Sequence, residues 1–220
     1  MQTISGTRAV SICMLTILLT ATTACRENRV AHKVQAAEYD VLSALIDAEF
    51  ASRKGVEPLS PTGDGIARIV ILNMAESDEQ GSNIQMDGNG QPISWTQTAS
   101  SLQSQAPTLK RKTLDAFREV NGQQATLQHS FHIAFDYELI DSTQLHSLFK
   151  NGSWPAFYRR FPGSSGFLGL SRVGFSGDGK QALLYVSNKC GELCGGGMYV
   201  VMERRGGRRV IEKVIQMWIS

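Results

Sequence analysis

Past its first twenty-five residues, this 220-residue sequence has no apolar run long enough to cross a bilayer, which takes about 20 mainly apolar residues. It also lacks an internal repeat, a glycine-rich phosphate loop and a recognisable Ser-His-Asp arrangement, so nothing points to a solenoid, a nucleotide-binding site or triad chemistry. No cofactor motif is present, and none is expected. Charge of one sign is not in excess either: 22 basic residues face 20 acidic ones, which gives nucleic-acid binding no support. Cysteine is scarce. There are four, and the two that lie close together, Cys190 and Cys194, have no histidine nearby in sequence to complete a zinc set.

What is present begins at the N-terminus. The stretch MQTISGTRAVSICMLTILLTATTAC carries one basic residue, Arg8, and no acidic one, then an apolar run, then small residues. That order predicts a secretory signal peptide over 1–24. As a membrane span the segment is short and diluted by Thr and Ser. A lipoprotein signal ends in an aliphatic residue three places before an acylated cysteine. Thr22-Thr23-Ala24-Cys25 has that form, with Thr22 in place of the usual Leu. Cleavage after Ala24 without lipidation satisfies the small-residue rule as well. The first outcome anchors the chain to a membrane through Cys25, since a thioether-linked diacylglycerol plus an amide-linked chain supplies the two lipid signals that stable anchoring needs. The second leaves it soluble outside the cytoplasm.

Cysteine counting agrees with export. Cys13 leaves with the signal and Cys25 is acylated, leaving Cys190 and Cys194 as an even pair in an oxidising compartment, where a disulfide is expected. The alternatives are a redox pair, against which the three-residue spacing and the absence of a following helix count, and a metal site.

After a polar tether over 25–33, one α+β domain is expected over 34–220. VQAAEYDVLSALIDAEF has helical apolar spacing, and IARIVILNM is a strand apolar on both faces, hence internal to a sheet. Residues 76–106 read as a long polar excursion. A helix is predicted from Pro107 to Val120, with Asn121-Gly122 as its stop. SFHIAFDYELI alternates and predicts a strand; STQLHSLFK, capped by Asp141 or Ser142, and WPAFYRRF predict short helices. From Phe167 the chain reads as strands FLGLSRVGF, QALLYVSN, GMYVVMER and RRVIEKVIQMWI, made antiparallel by their short connections. Both faces of this meander are apolar, which calls for helices on one side and a cavity or partner on the other. The whole is an N-terminal helix and short helices packed on a curved, mainly antiparallel sheet.

Candidate functional residues are few. His132, Asp136 and Glu138 share one face of the predicted strand, on which neighbours two apart sit about 7 Å from each other, a spacing that suits acid/base partners in a pocket; a solvated polar face is the other reading. His129 and His146 have no partner that sequence can name. Arg204-Arg205-Gly206-Gly207-Arg208-Arg209 puts four arginines round a hairpin tip, able to meet lipid phosphates or an acidic polymer, or simply to solvate a turn. Charge is uneven along the chain: residues 25–149 hold 10 basic and 16 acidic side chains, and residues 150–220 hold 11 and 4. Mutual neutralisation of the two halves and a basic face for an anionic surface both fit that division.

Glu38-Tyr39-Asp40-Val41, Ile69-Val70-Ile71, Trp154-Pro155-Ala156-Phe157-Tyr158, Pro162-Gly163-Ser164, Leu170-Ser171-Arg172-Val173-Gly174-Phe175, Gln181-Ala182-Leu183 and the string CGELCGGG together resemble a family of uncharacterised bacterial secreted proteins and lipoproteins. The resemblance implies an exported α+β domain and no particular activity. The closing strand–turn–strand that ends at Trp218 is also similar in architecture to the cone of NTF2-like domains, which can hold a small molecule. The expectation is therefore a lipid-anchored envelope module that binds another envelope protein or a small ligand. An enzyme using His132, Asp136 and Glu138, and a purely structural lipoprotein, are the alternatives.

Overall fold

The structure is a computed structural model describing residues 32–51, 68–76, 93–150 and 153–220. The signal peptide, Cys25 and most of the tether lie outside the described residues. His32–Lys33 (β1) already pairs in parallel with Ala125–Thr126 (β3), so the fold takes in the last two residues of the predicted tether.

Helix α1 spans Ala36–Ala51, followed by strand β2 (Arg68–Leu72), helices α2 (Trp95–Gln105) and α3 (Arg111–Asn121), β3, and β4 (Asp136–Ile140). Next come α4 (Ser142–Lys150) and α5 (Trp154–Arg160), then β5 (Ser164–Leu170), β6 (Gly174–Phe175), β7 (Gln181–Gly191), β8 (Cys194–Arg205) and β9 (Arg208–Ile219). Seven strands form one open, mixed sheet in the order β4-β2-β5-β7-β8-β9, with β6 also pairing β7. β2 is internal, as its apolar faces require, and it pairs in parallel with both neighbours. The β5–β9 part is antiparallel, as its short turns demand. This is the expected α+β class.

Helices cover both faces, correcting the expectation of helices on one side only. Ile69, Ile71, Leu168, Leu170, Leu184, Val200 and Met202 bury against Val41, Leu42, Leu45 and Ile46 of α1. On the opposite face Leu183, Tyr185, Tyr199, Val201 and Ile215 pack under Leu102 of α2 and Leu114 and Phe117 of α3. Val70 and Phe167 meet Phe157 and Phe161 of α5 and the turn after it. The side chains alternate between layers because successive residues of a strand point to opposite faces. α2 was hidden inside the supposed excursion. Ser94 and Gln97 form a complete capping box there, and Trp95 stacks on Phe117 at 5.6 Å. α4 starts similarly: the Gln144 backbone N–H donates to Asp141 Oδ1 at 2.7 Å, and the Asp141 N–H donates to Gln144 Oε1 at 3.2 Å.

Two predicted strands are shorter than their patterns. Residues 130–135 are irregular, and only Asp136–Ile140 joins the sheet. Apolar alternation survives, with Phe131 buried and Ile133 and Phe135 packed on the core. The backbone of this stretch, however, finds its partners on α1. The Gln128 N–H donates to the Tyr39 hydroxyl (2.6 Å), the His132 N–H to Ser43 Oγ (3.0 Å) and the Ala134 N–H to Asp47 Oδ1 (2.9 Å). Tyr39, Ser43 and Asp47 are spaced four apart, one helical face, so they form a row of acceptors that replaces a strand ladder.

FLGLSRVGF is likewise split. Between the pairs Leu170–Val186 and Gly174–Leu183, the β5–β6 segment has one residue more than β7. Such a bulge re-aims a side chain. Here Ser171 Oγ accepts the Tyr185 N–H at 2.8 Å, and Arg172 turns into the interior.

Candidate functional site

Arg172 is the centre of a buried polar network. Its Nη2 donates to Glu38 Oε1 at 2.7 Å and its Nε to Glu38 Oε2 at 3.3 Å. The same carboxylate accepts the backbone N–H groups of Gln35 and Val173. Four donors thus fill the lone pairs that a carboxylate offers. Asn121, the last residue of α3, accepts the Arg172 N–H at 2.9 Å through Oδ1 and donates through Nδ2 to the Arg172 and Phe117 carbonyls. α1 and α3 lie on opposite faces of the sheet, and this network joins them through its bulge. Close by, the buried Gln181 amide donates to the Thr108 carbonyl and accepts from the Lys110 N–H and the Thr113 hydroxyl, capping the start of α3. The strings Glu38-Tyr39-Asp40-Val41, Leu170 to Phe175 and Gln181-Ala182-Leu183 are therefore occupied in holding the fold. Sequence reasoning gave Glu38, Asn121 and Arg172 no part in a buried network, because their partners lie 51 and 134 residues away.

Of the titratable trio, His132 and Glu138 line different hollows. His132 lines an open hollow of about 470 Å³ at the start of α1, together with Lys33, Gln35, Tyr39, Asp40 and Ser130. Glu138 lines a second hollow, of about 280 Å³, with Gln144, Ser147 and Arg160. Its carboxylate is held between Arg160 Nη2 (2.7 Å) and Arg68 Nη1 (3.5 Å). Asp136 is exposed at the start of β4. His132 and Glu138 consequently do not share a hollow. His129 has its ring beside Tyr137, with centroids 5.5 Å apart.

In the first hollow, Tyr39 and the 128–132 backbone fix the walls. Burial pushes the Tyr39 hydroxyl above its ordinary value, the hydrogen bond from Gln128 N–H opposes that, and the nearby Glu38 charge adds to it. The phenol is kept neutral, with an O–H still able to donate.

Cys190 and Cys194 form a disulfide across the β7–β8 turn, with Cα atoms 5.0 Å apart. The Tyr158 hydroxyl donates to the Cys190 carbonyl at 2.7 Å and ties this loop to α5. Gly166, with φ of 94°, lies so close to the Lys189–Cys190 backbone that any side chain would overlap it.

At the opposite hairpin, Gly206 and Gly207 both have positive φ (56° and 81°), the conformation a two-residue turn between twisted strands needs. Arg204 faces Arg209 and Arg205 faces Arg208 across it. Arg205 pairs with Glu203 at 2.9 Å. Arg209 donates to the carbonyls of Lys180 and Gly179 and stands 5.4 Å over the Phe175 ring. Ion pairs also cross between the acidic and basic parts of the chain, in Glu38–Arg172, Glu138–Arg160 and Lys110–Asp178.

Among the described residues no helix is long and apolar enough to cross a membrane, and no group of three or more His, Cys, Asp or Glu side chains is placed to hold a metal ion. No family model, curated protein or solved structure matches the chain.

Proposed function

We propose that this chain is a non-catalytic envelope module, tethered outside the cytoplasm by lipid on Cys25, that receives a small polar ligand or a partner's side chain in the hollow at the start of α1. One observation carries the ligand half of this reading. The hollow brings Lys33, Asp40, Ser130 and His132 together over walls already fixed by the Tyr39 and Ser43 hydrogen bonds. A few polar groups converging on a preformed concavity are what a small-molecule site requires. The tether half rests on the apolar run ending in Ala24-Cys25 and on the resemblance to exported bacterial proteins.

Two measurements test it. Cys25→Ala is expected to abolish metabolic labelling by fatty acid and release the protein from membranes. Membrane retention without incorporated lipid rejects the tether. For the hollow, the exported chain is titrated with pools of sugars, amino acids and short peptides while amide resonances are followed. Shifts confined to Lys33–Asp40 and Ser130–His132 are expected with at least one pool. Resonances there that respond to none reject the ligand reading.

A further inference from the structure

The four-arginine hairpin is costly to the fold as it stands. Two pairs of like charges face one another across adjacent strands, an arrangement that destabilises a sheet. Glu203 offsets one arginine, and the Lys180 and Gly179 carbonyls with the Phe175 ring hold another. Arg204 and Arg208 are exposed, and among the described residues their side chains have no partner. Fold stability therefore does not account for them.

Their position in the molecule does. Phe175, under Arg209, lies two residues after Val173, whose N–H donates to Glu38 in the first turn of α1. Asp40, on the next turn, is near enough for its charge to act on Arg209. The hairpin tip therefore stands at the same end of the domain as the start of α1, where the chain enters from the tether. Seven residues, 26–32, separate Cys25 from Lys33. Fully extended they reach at most about 25 Å. A domain anchored at Cys25 is thus confined near the bilayer with this end within reach of it, and exposed Lys33 and Lys180 lie there too.

We infer that the Arg204–Arg209 hairpin docks on an anionic bilayer surface and sets the orientation of the domain on the membrane. Arginine suits the task, because its planar fork pairs with phosphate in two hydrogen bonds. The inference rests on the tether reading for its geometry, but the two are tested apart: fatty-acid labelling reads Cys25 alone, and binding by an unacylated chain reads the hairpin alone.

The experiment uses a chain from Arg26 onward, exported behind a cleavable secretory leader, so that every described residue is present and no lipid is attached. Binding is measured by co-sedimentation with phosphatidylcholine vesicles, with and without phosphatidylglycerol. Binding is expected only when phosphatidylglycerol is present, and it weakens as salt rises. The double substitution Arg204→Ser and Arg208→Ser is expected to lower the partition coefficient about tenfold or more, at roughly one basic residue's electrostatic share each, without lowering the melting temperature. Because neither side chain has a partner among the described residues, loss of binding is not confused with loss of structure. Equal binding by the parent and double variant overturns the inference, as does no binding to phosphatidylglycerol. Tighter binding to soluble dextran sulfate than to the vesicles assigns the hairpin to an acidic polymer instead.

Discussion

The Glu38 carboxylate and the Arg172 guanidinium form a bidentate pair with only 3% and 7% of each residue exposed, joining the first turn of α1 to the bulge between β5 and β6. Two ions out of water cost several kcal/mol each, and the pair persists because the Gln35 and Val173 N–H groups fill the carboxylate's remaining lone pairs while Asn121 holds the Arg172 main chain. Removing one member leaves the other charge buried and unmatched. Arg172→Met alone is expected to cost about 3–5 kcal/mol in urea unfolding, and Glu38→Leu with Arg172→Met less than the sum of the single losses. Additive losses would show that the two side chains do not act as a pair.

The acceptor row on α1 makes a second claim. Tyr39→Phe or Ser43→Ala strips the partner from a main-chain N–H in the 128–132 segment, at a cost of about 1–3 kcal/mol each. Amide exchange of Gln128 and His132 should rise with it. Replacing the exposed His132 side chain by Asn, by contrast, should move stability by less than about 0.5 kcal/mol, because its backbone rather than its ring is bound to α1. Unchanged exchange in Ser43→Ala would remove the row as the reason this segment stays out of the sheet.

That segment also shows how far sequence patterns reach. Alternation from Phe131 to Leu139 reports correctly which side chains face the core, but it is silent on where the main-chain N–H groups go. Here they go to a helix some ninety residues earlier. The same gap explains the Arg172 bulge, since an apolar-alternating string does not reveal that one residue must leave the ladder to meet Glu38 and Asn121. α2 left a weak signal that the reading of 76–106 as an excursion missed: Ser94 and Gln97 have capping-box spacing, and Trp95, Ala99, Leu102 and Ala106 follow at helical intervals, but surrounding Ser, Thr and Gln lower the apolar contrast. The hollow at the start of α1 was not, because it joins Lys33 and Asp40 to Ser130 and His132 only through the tertiary fold.

The Cys190–Cys194 disulfide closes a ring of five residues. So small a loop restrains the unfolded chain modestly, and the double Cys→Ser variant is expected to fold with a loss of about 2 kcal/mol. Proteolysis should increase around residues 189–197. Intact mass with and without alkylation, before and after reduction, checks the bond directly. Alkylation of both cysteines in exported, unreduced protein would contradict it.

The last prediction concerns alkaline pH. Burial raises the pKa of Tyr158 above the phenol's usual value of 10.0, and its proton is committed to the Cys190 carbonyl. The folded state therefore holds this proton at pH values where the unfolded chain has begun to release it. Stability from this source is complete below pH about 10 and declines as pH rises through the folded value, because the unfolded state then binds fewer protons than the native one. Tyr158→Phe cannot titrate there, and it is expected to be less stable than the parent at neutral pH for want of the hydrogen bond. The stability gap between the two should narrow steadily as pH is raised above 10, in urea midpoints measured across that range. Tyr39 is raised as well, so the Tyr158→Phe variant should itself keep a residual alkaline decline. A gap that stays constant with pH would mean that the Tyr158 phenol ionises alike in the folded and unfolded chain, and the link between α5 and the disulfide loop would not depend on its proton.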